Sequence, residues 1–167
     1  TRAEITDVAN AIYDGTSAIM LSGETAAGKH PVEAVRTMAL IAETTENDIN
    51  YVNRLRARAE DKGKSITNAI SHAACTTAHD LGAKAIVTVT KTGGTAKMLS
   101  KFRPACPIIG CTPNETVCRQ MNLSWGVTPV MSEEYSSLDI LLYFAKQCAV
   151  KSGIAKKGDK VVITAGT

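Results

Sequence analysis

From residue 65 onward, helically spaced segments alternate with short apolar runs rich in β-branched residues, and this alternation narrows the possible folds more than any other feature. Residues 65–81 carry Ile66, Ile70, Ala73, Thr77 and Leu81 on one helical stripe. Residues 85–90 read Ala-Ile-Val-Thr-Val-Thr, a strand pattern, followed by a helix over 95–102 and a strand over 107–111. Thr112-Pro113-Asn114-Glu115 reads as a capping box with Pro at the first helical position, opening a helix that runs to residue 123. A strand over 127–131, a helix over 138–152 and a strand over 160–165 complete the series. Strands this short and apolar are buried on both faces, and parallel neighbours need helical crossovers. The pattern therefore predicts an α/β fold: a mostly parallel sheet with helices on both faces. Apolar residues make up 44% of the chain but aromatics only 4%, so the core must rest on Ile, Val, Leu, Met and Ala.

The first 60 residues follow another rule. Thr1-Arg2-Ala3-Glu4 is a capping box, Ile5, Val8, Ala9 and Ile12 recur at helical spacing, and Gly15 ends the run. Ala18-Ile19-Met20-Leu21 is long enough for one buried strand, and 22–30 is a glycine-containing loop. Pro31 suits the first position of a second helix, with Glu33 in its first turn and Val35, Met38, Ala42 and Thr45 along it. A chain that opens on a capped helix looks cut from a longer one. Such a helix-strand-helix piece exposes apolar stripes and is expected to need a companion chain or self-association. From 46 to 64 hydrophobicity falls and charge rises, which places a domain boundary there and divides the chain into 1–60 and 61–167.

Charge and cysteine usage exclude several classes. The net charge is +3, and the densest basic stretch (Arg54, Arg56, Arg58, Lys62, Lys64) is interrupted by Glu60 and Asp61. It reads as a solvated connector, so no nucleic-acid partner is expected. No apolar run approaches the roughly 20 residues of a membrane span, and no signal-peptide pattern opens the chain. The five cysteines are odd in number, scattered and without a CxxC pair, which points to reduced thiols in a cytoplasmic protein. Each reads as a small core hydrophobe, since no familiar Cys–His context provides a base.

Three segments could carry chemistry. Thr90-Lys91-Thr92-Gly93-Gly94-Thr95 lies where a strand's carboxyl end meets a helix N-terminus, where free amides and the helix dipole favour an anion. Two glycines permit close backbone approach, three threonines offer hydroxyls and Lys91 supplies charge. The competing reading is a capped turn that uses glycine for a positive φ. Residues 23–29 match the G-x-x-x-x-G-K of a nucleotide-binding P-loop. However, His30 stands where a hydroxyl should hold Mg²⁺, Pro31 follows, and Glu24 would repel phosphate inside the cradle. A P-loop-like nucleotide-binding protein is thus one alternative, and a stand-alone α/β ligand-binding module another. His72, Cys75 and His79 share one face of the 65–81 helix with Asn68, opposite the apolar stripe. With no fourth ligand in view, that face reads as polar and turned to solvent or a partner subunit. Trp125 opens a strand at the domain edge, and Tyr51 and Tyr135 lie beside polar connectors.

Several strings together resemble one family. T-R-A-E-I-T-D-V-A-N-A-I-Y-D-G, followed by I-M-L-S-G-E-T-A-A-G-K-H-P-V-E-A-V, is similar to the last helices and eighth strand of the pyruvate kinase barrel. V-T-V-T-K-T-G-G-T-A, K-F-R-P-A-C-P-I-I-G-C-T and K-K-G-D-K-V-V-I-T-A-G-T resemble that family's C-terminal domain, and the likeness covers essentially the whole chain in the right order. The resemblance implies a fragment of a TIM barrel over 1–60, followed by an effector-binding domain over 61–167 that lacks its last loop and strand. It implies a glycolytic phosphotransferase moving phosphate from phosphoenolpyruvate to ADP. Its Mg²⁺ and K⁺ would be held by barrel residues outside this chain, so none is expected bound here and the chain alone is expected to be inactive. Ser22 and Glu24 match residues near the active-site mouth, on the route of the proton delivered to enolpyruvate. Arg2 matches an arginine at the interface between barrels, the dimer surface on which helices 1–14 and 31–45 would lie. Thr90, Lys91, Thr92, Gly93, Gly94 and Thr95 match a loop that binds a phosphorylated effector, a sugar phosphate or nucleotide monophosphate, in an allosteric homotetramer.

Overall fold

The computed structural model describes residues 1–58, 65–135 and 137–165. The expected boundary at 60/61 and the last two residues lie outside that set. The chain divides into two compact units, Thr1–Asn50 and Tyr51–Thr167.

The first unit is helical. α1 (Arg2–Asp14) starts on the expected capping box: the Thr1 hydroxyl accepts from the Glu4 amide, and Glu4 reaches back to the N-cap. It ends on Gly15, in the left-handed conformation at φ 88°. A single helical turn, α2 (Gly23–Ala26), precedes α3 (Pro31–Asp48), which has Pro31 at its start. The Tyr13 hydroxyl donates to Asp48 Oδ2 at 2.6 Å, tying the end of α1 to the end of α3. The strand expected over 18–21 does not form. Its sequence has strand character, but a strand exists through its ladder, and no extended neighbour lies beside it among the described residues. The unit has little interior: Ile12 and Thr45 are buried, while Met20 is 85% and Leu40 64% exposed.

The second unit opens with α4 (Tyr51–Arg58). This corrects the reading of the basic stretch 54–64 as a solvated connector in its first residues: α4 sinks Leu55 into the core. There follow α5 (Ile66–Asp80), β1 (Ala85–Val89), α6 (Gly94–Lys101), β2 (Ile108–Thr112), α7 (Glu115–Met121), β3 (Val127–Met131), α8 (Leu138–Lys151) and β4 (Val161–Ala165). The strands form one parallel sheet in the order β3-β2-β1-β4, with Ile86 beside Ile108 and Val162. The two-residue side-chain period splits the core in two. Ile86 and Ile108 pack with Leu99, Phe102, Ala74, Cys75 and Ala78 from α6 and α5 on one face. Val87, Ile109 and Cys111 pack with Ala145, Cys148 and Ala149 of α8 on the other. Each fully buried Ile or Val here contributes about 1.5–3 kcal/mol of transfer free energy. Gly110 is set by the same packing, since a Cβ there would lie 2.8 Å from Met121 Sδ.

Two local expectations are reversed. α5 turns the other way round: Asn68, Ser71, Ala74, Cys75 and Ala78 are buried, whereas Ile66 is 81%, Ile70 54% and Leu81 49% exposed. Small side chains let α5 approach the sheet closely, and shape complementarity outweighs the larger transfer free energy of the isoleucines. The capping of α7 also shifts: Thr112 ends β2, and Asn114 is the N-cap, its side chain accepting from the Val117 amide at 3.0 Å. Pro113 therefore lies outside the helix.

Candidate functional site

The topology singles out one edge of the sheet. From β1 the chain steps outward through α6 and α7 to β3, then returns by α8 on the opposite face to lay β4 against β1. The crossovers leaving β1 and arriving at β4 thus diverge, and in open parallel sheets the carboxyl ends at such a switch point form a crevice. The 90–95 turn leaves β1 at that place.

The turn is built around Thr90. Its amide donates to Cys111 O at 2.9 Å, its side chain is buried with the residue 3% exposed, and its hydroxyl accepts from the Gly93 amide at 3.1 Å. Gly93 is the N-cap of α6 at φ 79°, a conformation that suits glycine. An added Cβ would also meet Val117 and Met121 at 3.3 Å. The Thr92 hydroxyl accepts from the Gly94 amide at 3.4 Å. The turn therefore satisfies its first two helical amides internally, as the capped-turn reading requires. Both Thr90 and Thr92 shape the loop, and Thr90 is too buried to be a surface contact. What remains outward is specific: the amide of half-buried Thr95 finds no protein acceptor among the described residues, while Ala96 is 0% exposed, and the first turn of α6 carries no acidic side chain. Lys91 reaches across to an ion pair with Glu134, both residues being largely exposed. The lysine beside it holds the Glu134 carboxyl below the usual carboxylate range. Glu134 escapes sequence reasoning because it lies more than forty residues away, on the segment after β3, and only the β1-β2-β3 order brings it near.

Ser22 and Glu24 do come together. The Ser22 amide donates to Glu24 Oε2 at 3.0 Å, and Glu24 lines an open groove of about 550 Å³ with Ile5, Val8, Met20 and Met38. The P-loop reading fails here. The amides of Thr25 and Ala26 donate to Ser22 O and that of Ala27 to Gly23 O, so the loop is a helical turn with its donors already used. A Cβ on Gly28 would fall 2.2 Å from Glu24 O, which accounts for the second glycine without any nucleotide. Arg2 is exposed on the first turn of α1.

The His72–Cys75–His79 face does not assemble. Cys75 is fully buried, its thiol pointing to Leu99 O at 3.9 Å and pushed up to about 12 by burial. His72 lies edge-on to Phe102 at 5.4 Å, and His79 is exposed. No group of three or more His, Cys, Asp or Glu side chains among the described residues is placed to hold a metal. Trp125 packs just before β3, with Tyr51 5.5 Å away and the Arg103 guanidinium 4.6 Å over its ring. Tyr51 and Arg103 thus have structural roles that their sequence positions do not announce. No described helix is long and apolar enough to cross a membrane.

Comparison with known proteins agrees with this architecture. Residues 68–167 match the alpha/beta domain of pyruvate kinase, and residues 1–35 match the barrel domain of pyruvate kinase. The chain belongs to the pyruvate kinase family. It is 50% identical to a pyruvate kinase of Clostridium acetobutylicum over 99% of its own length and 35% of that relative's. It is also 50% identical to a pyruvate kinase of Bacillus licheniformis, covering 28% of it. Among solved structures, a pyruvate kinase from Cryptosporidium parvum superposes with a TM-score of 0.92 at 36% identity, over 99% of this chain and 34% of that one. The chain thus spans about a third of the length of the pyruvate kinases it matches. Its fold is theirs: four parallel strands with helices on both faces, and a segment of barrel at the N-terminus.

Proposed function

We propose that this chain is the regulatory and assembly portion of a pyruvate kinase, and that the 90–95 turn binds a phosphorylated effector. Pyruvate kinases transfer phosphate from phosphoenolpyruvate to ADP, giving pyruvate and ATP. In this reading the chemistry belongs to barrel residues beyond this chain, together with the Mg²⁺ and K⁺ they hold. Ser22 and Glu24 lie at the edge of the proton route, Arg2 lies at an interface between barrels, and the chain alone is inactive. The intact protein is a cytoplasmic homotetramer.

The observation that carries the reading is the placement of the turn: a lysine and the unused Thr95 amide at a helix start, on the carboxyl edge of a parallel sheet at its switch point. The Thr95 amide donates to a phosphate oxygen, and the Thr95 hydroxyl stands beside it. Exposed Gly94 lets the ligand approach the backbone, while buried Gly93, with Thr90 and Thr92, holds the turn in shape. Lys91 supplies charge, but only after exchanging Glu134 for the phosphate. An effector can shift a tetramer between states only by the difference in its affinity for them. The Lys91–Glu134 exchange supplies such a difference wherever one state holds that pair closed.

The test is Lys91→Glu in the full-length enzyme. Activation by sugar bisphosphates, sugar monophosphates and nucleotide monophosphates should be lost or weakened at least tenfold, with catalysis in the absence of effector retained. Unchanged activation by every one of them overturns the assignment of this loop.

A further inference from the structure

Two thiols share the second layer of the core, and the effector site uses neither. Cys111, on β2, is 1% exposed, and Cys148, on α8, is 7% exposed. They lie in one cluster with Val87, Ile109, Ala145 and Ala149, where the alanines bring the helix close to the sheet. The two thiols bear on one another's protonation: Cys111 keeps its proton the more firmly, and Cys148 gives its proton up the more readily. The cluster is not sealed. A pocket of about 300 Å³ reaches Cys148 from the surface, lined among others by Met131, Ser132, Tyr135, Phe144 and Lys151. Ser132 Oγ is buried beside it without a hydrogen-bond partner.

This is the arrangement of an attacking thiol with a resolving thiol behind it. The neighbouring Cys111 thiol and the Lys151 charge hold Cys148 below the usual thiol range, whereas the neighbouring Cys148 sulfur and burial push Cys111 up. Burial also pushes Cys75 up to about 12 and raises Cys106. Neither of those two thiols lines this pocket.

We propose that Cys148 is an oxidative modification site open to small hydroperoxides, and that Cys111 resolves the oxidised sulfur into a Cys111–Cys148 disulfide. The Cys148 thiolate attacks one peroxide oxygen. The S–O bond forms as the O–O bond breaks, sulfur is oxidised by two electrons, and the leaving hydroxide takes up a proton as water. Cys111 then attacks the sulfenic sulfur. The S–S bond forms, the S–O bond breaks, and the departing hydroxyl leaves as water with the Cys111 proton. Two thiols and one hydrogen peroxide thus give one disulfide and two waters. The link would fix α8 to β2 next to the carbonyl of Cys111 that accepts the Thr90 amide. It would also lie beneath the Ser132–Tyr135 wall of the pocket. The oxidation itself is independent of any effector.

The experiment adds hydrogen peroxide to the reduced 167-residue chain, blocks remaining thiols with iodoacetamide and maps every cysteine by mass spectrometry. Cys148 should react about tenfold faster than Cys75 or Cys106, following its larger thiolate fraction. The product should have lost two hydrogens and carry a Cys111–Cys148 link. In Cys111→Ser the link disappears and dimedone captures a sulfenic acid on Cys148. Cys148→Ala, a size suited to its neighbours, removes both signals. Oxidation of Cys106 or Cys118 while Cys148 stays reduced would overturn the proposal, as would a Cys148 sulfenic acid in the unsubstituted chain that never passes to Cys111. The map of that chain decides the matter even if a variant fails to fold.

Discussion

In the second unit Ile86, Val87, Ile108 and Ile109 are 0% exposed, each facing a helix that covers its side of the sheet. In the first unit comparable side chains line a groove or face outward: Ile5 is 45%, Val35 50% and Leu40 64% exposed. Both units have amphipathic helices with well-formed starts, and both contain an apolar run of strand character. The difference is the second layer. A helix gains from its apolar stripe only when another surface receives it, and a strand exists only through its neighbours' amides and carbonyls. Apolar content alone therefore does not make a core.

Hydrogen exchange tests this comparison with the largest expected effect. Amides of β1 and β2 should exchange only through global opening, at least a thousandfold more slowly than those of α1 and α3. Equal protection in the two units would break the contrast. Core truncation comes next. Ile86→Ala or Ile108→Ala should cost the second unit about 2–5 kcal/mol in a denaturant titration. Leu40→Ala, in the first unit, should stay within about 0.5 kcal/mol. Smaller still is Gly93→Ala, which forces a Cβ into the left-handed region and against Val117 and Met121. About 1–2 kcal/mol of lost stability is expected, together with weaker phosphate binding by calorimetry. Asn114→Ala removes the α7 cap for about 1 kcal/mol, whereas Thr112→Val should leave that helix start in place. The smallest effect concerns charge. Glu134→Gln frees Lys91 and should tighten anion binding about threefold at low salt, with thermal stability nearly unchanged. Because the Glu134 carboxyl is held below its ordinary value, the pair is fully formed above the usual carboxylate range. It is lost as pH falls through the lowered value, so the advantage of Glu134→Gln should fade in acid.

The alternation of periods was enough to read the parallel sheet, its four strands and most helix limits. Those elements are fixed by local side-chain spacing, and the capping box at Thr1 and the stop at Gly15 are likewise local. What failed depends on distant partners. The 18–21 run reads as a strand because β-branched and apolar residues favour one, yet it has no ladder to join. For α5 hydrophobicity ranks Ile66 and Ile70 above Ala74 and Ala78 and so predicts the wrong buried face, because close packing on a sheet favours the smaller pair. The 90–95 turn was legible as a place, from its glycines, lysine and position after a strand. The division of labour among its threonines was not, since hydroxyls that can hold a ligand can equally hold the helix start. Glu134 was invisible for the reason that β4 was not: a charge has no periodicity, and a strand does.

The order β3-β2-β1-β4 also bears on how the unit is made. β1 gains β2 within a short stretch of chain, but Val87 meets Ile163 only when the segment after α8 arrives. During synthesis the central strand therefore waits with one flank open while α6, β2, α7 and β3 emerge, which is a long window for mispairing with another nascent copy. A pause or truncation shortly before Val161 would leave β1 itself as an unguarded edge, with its hydrogen-bonding groups turned to any strand that came by.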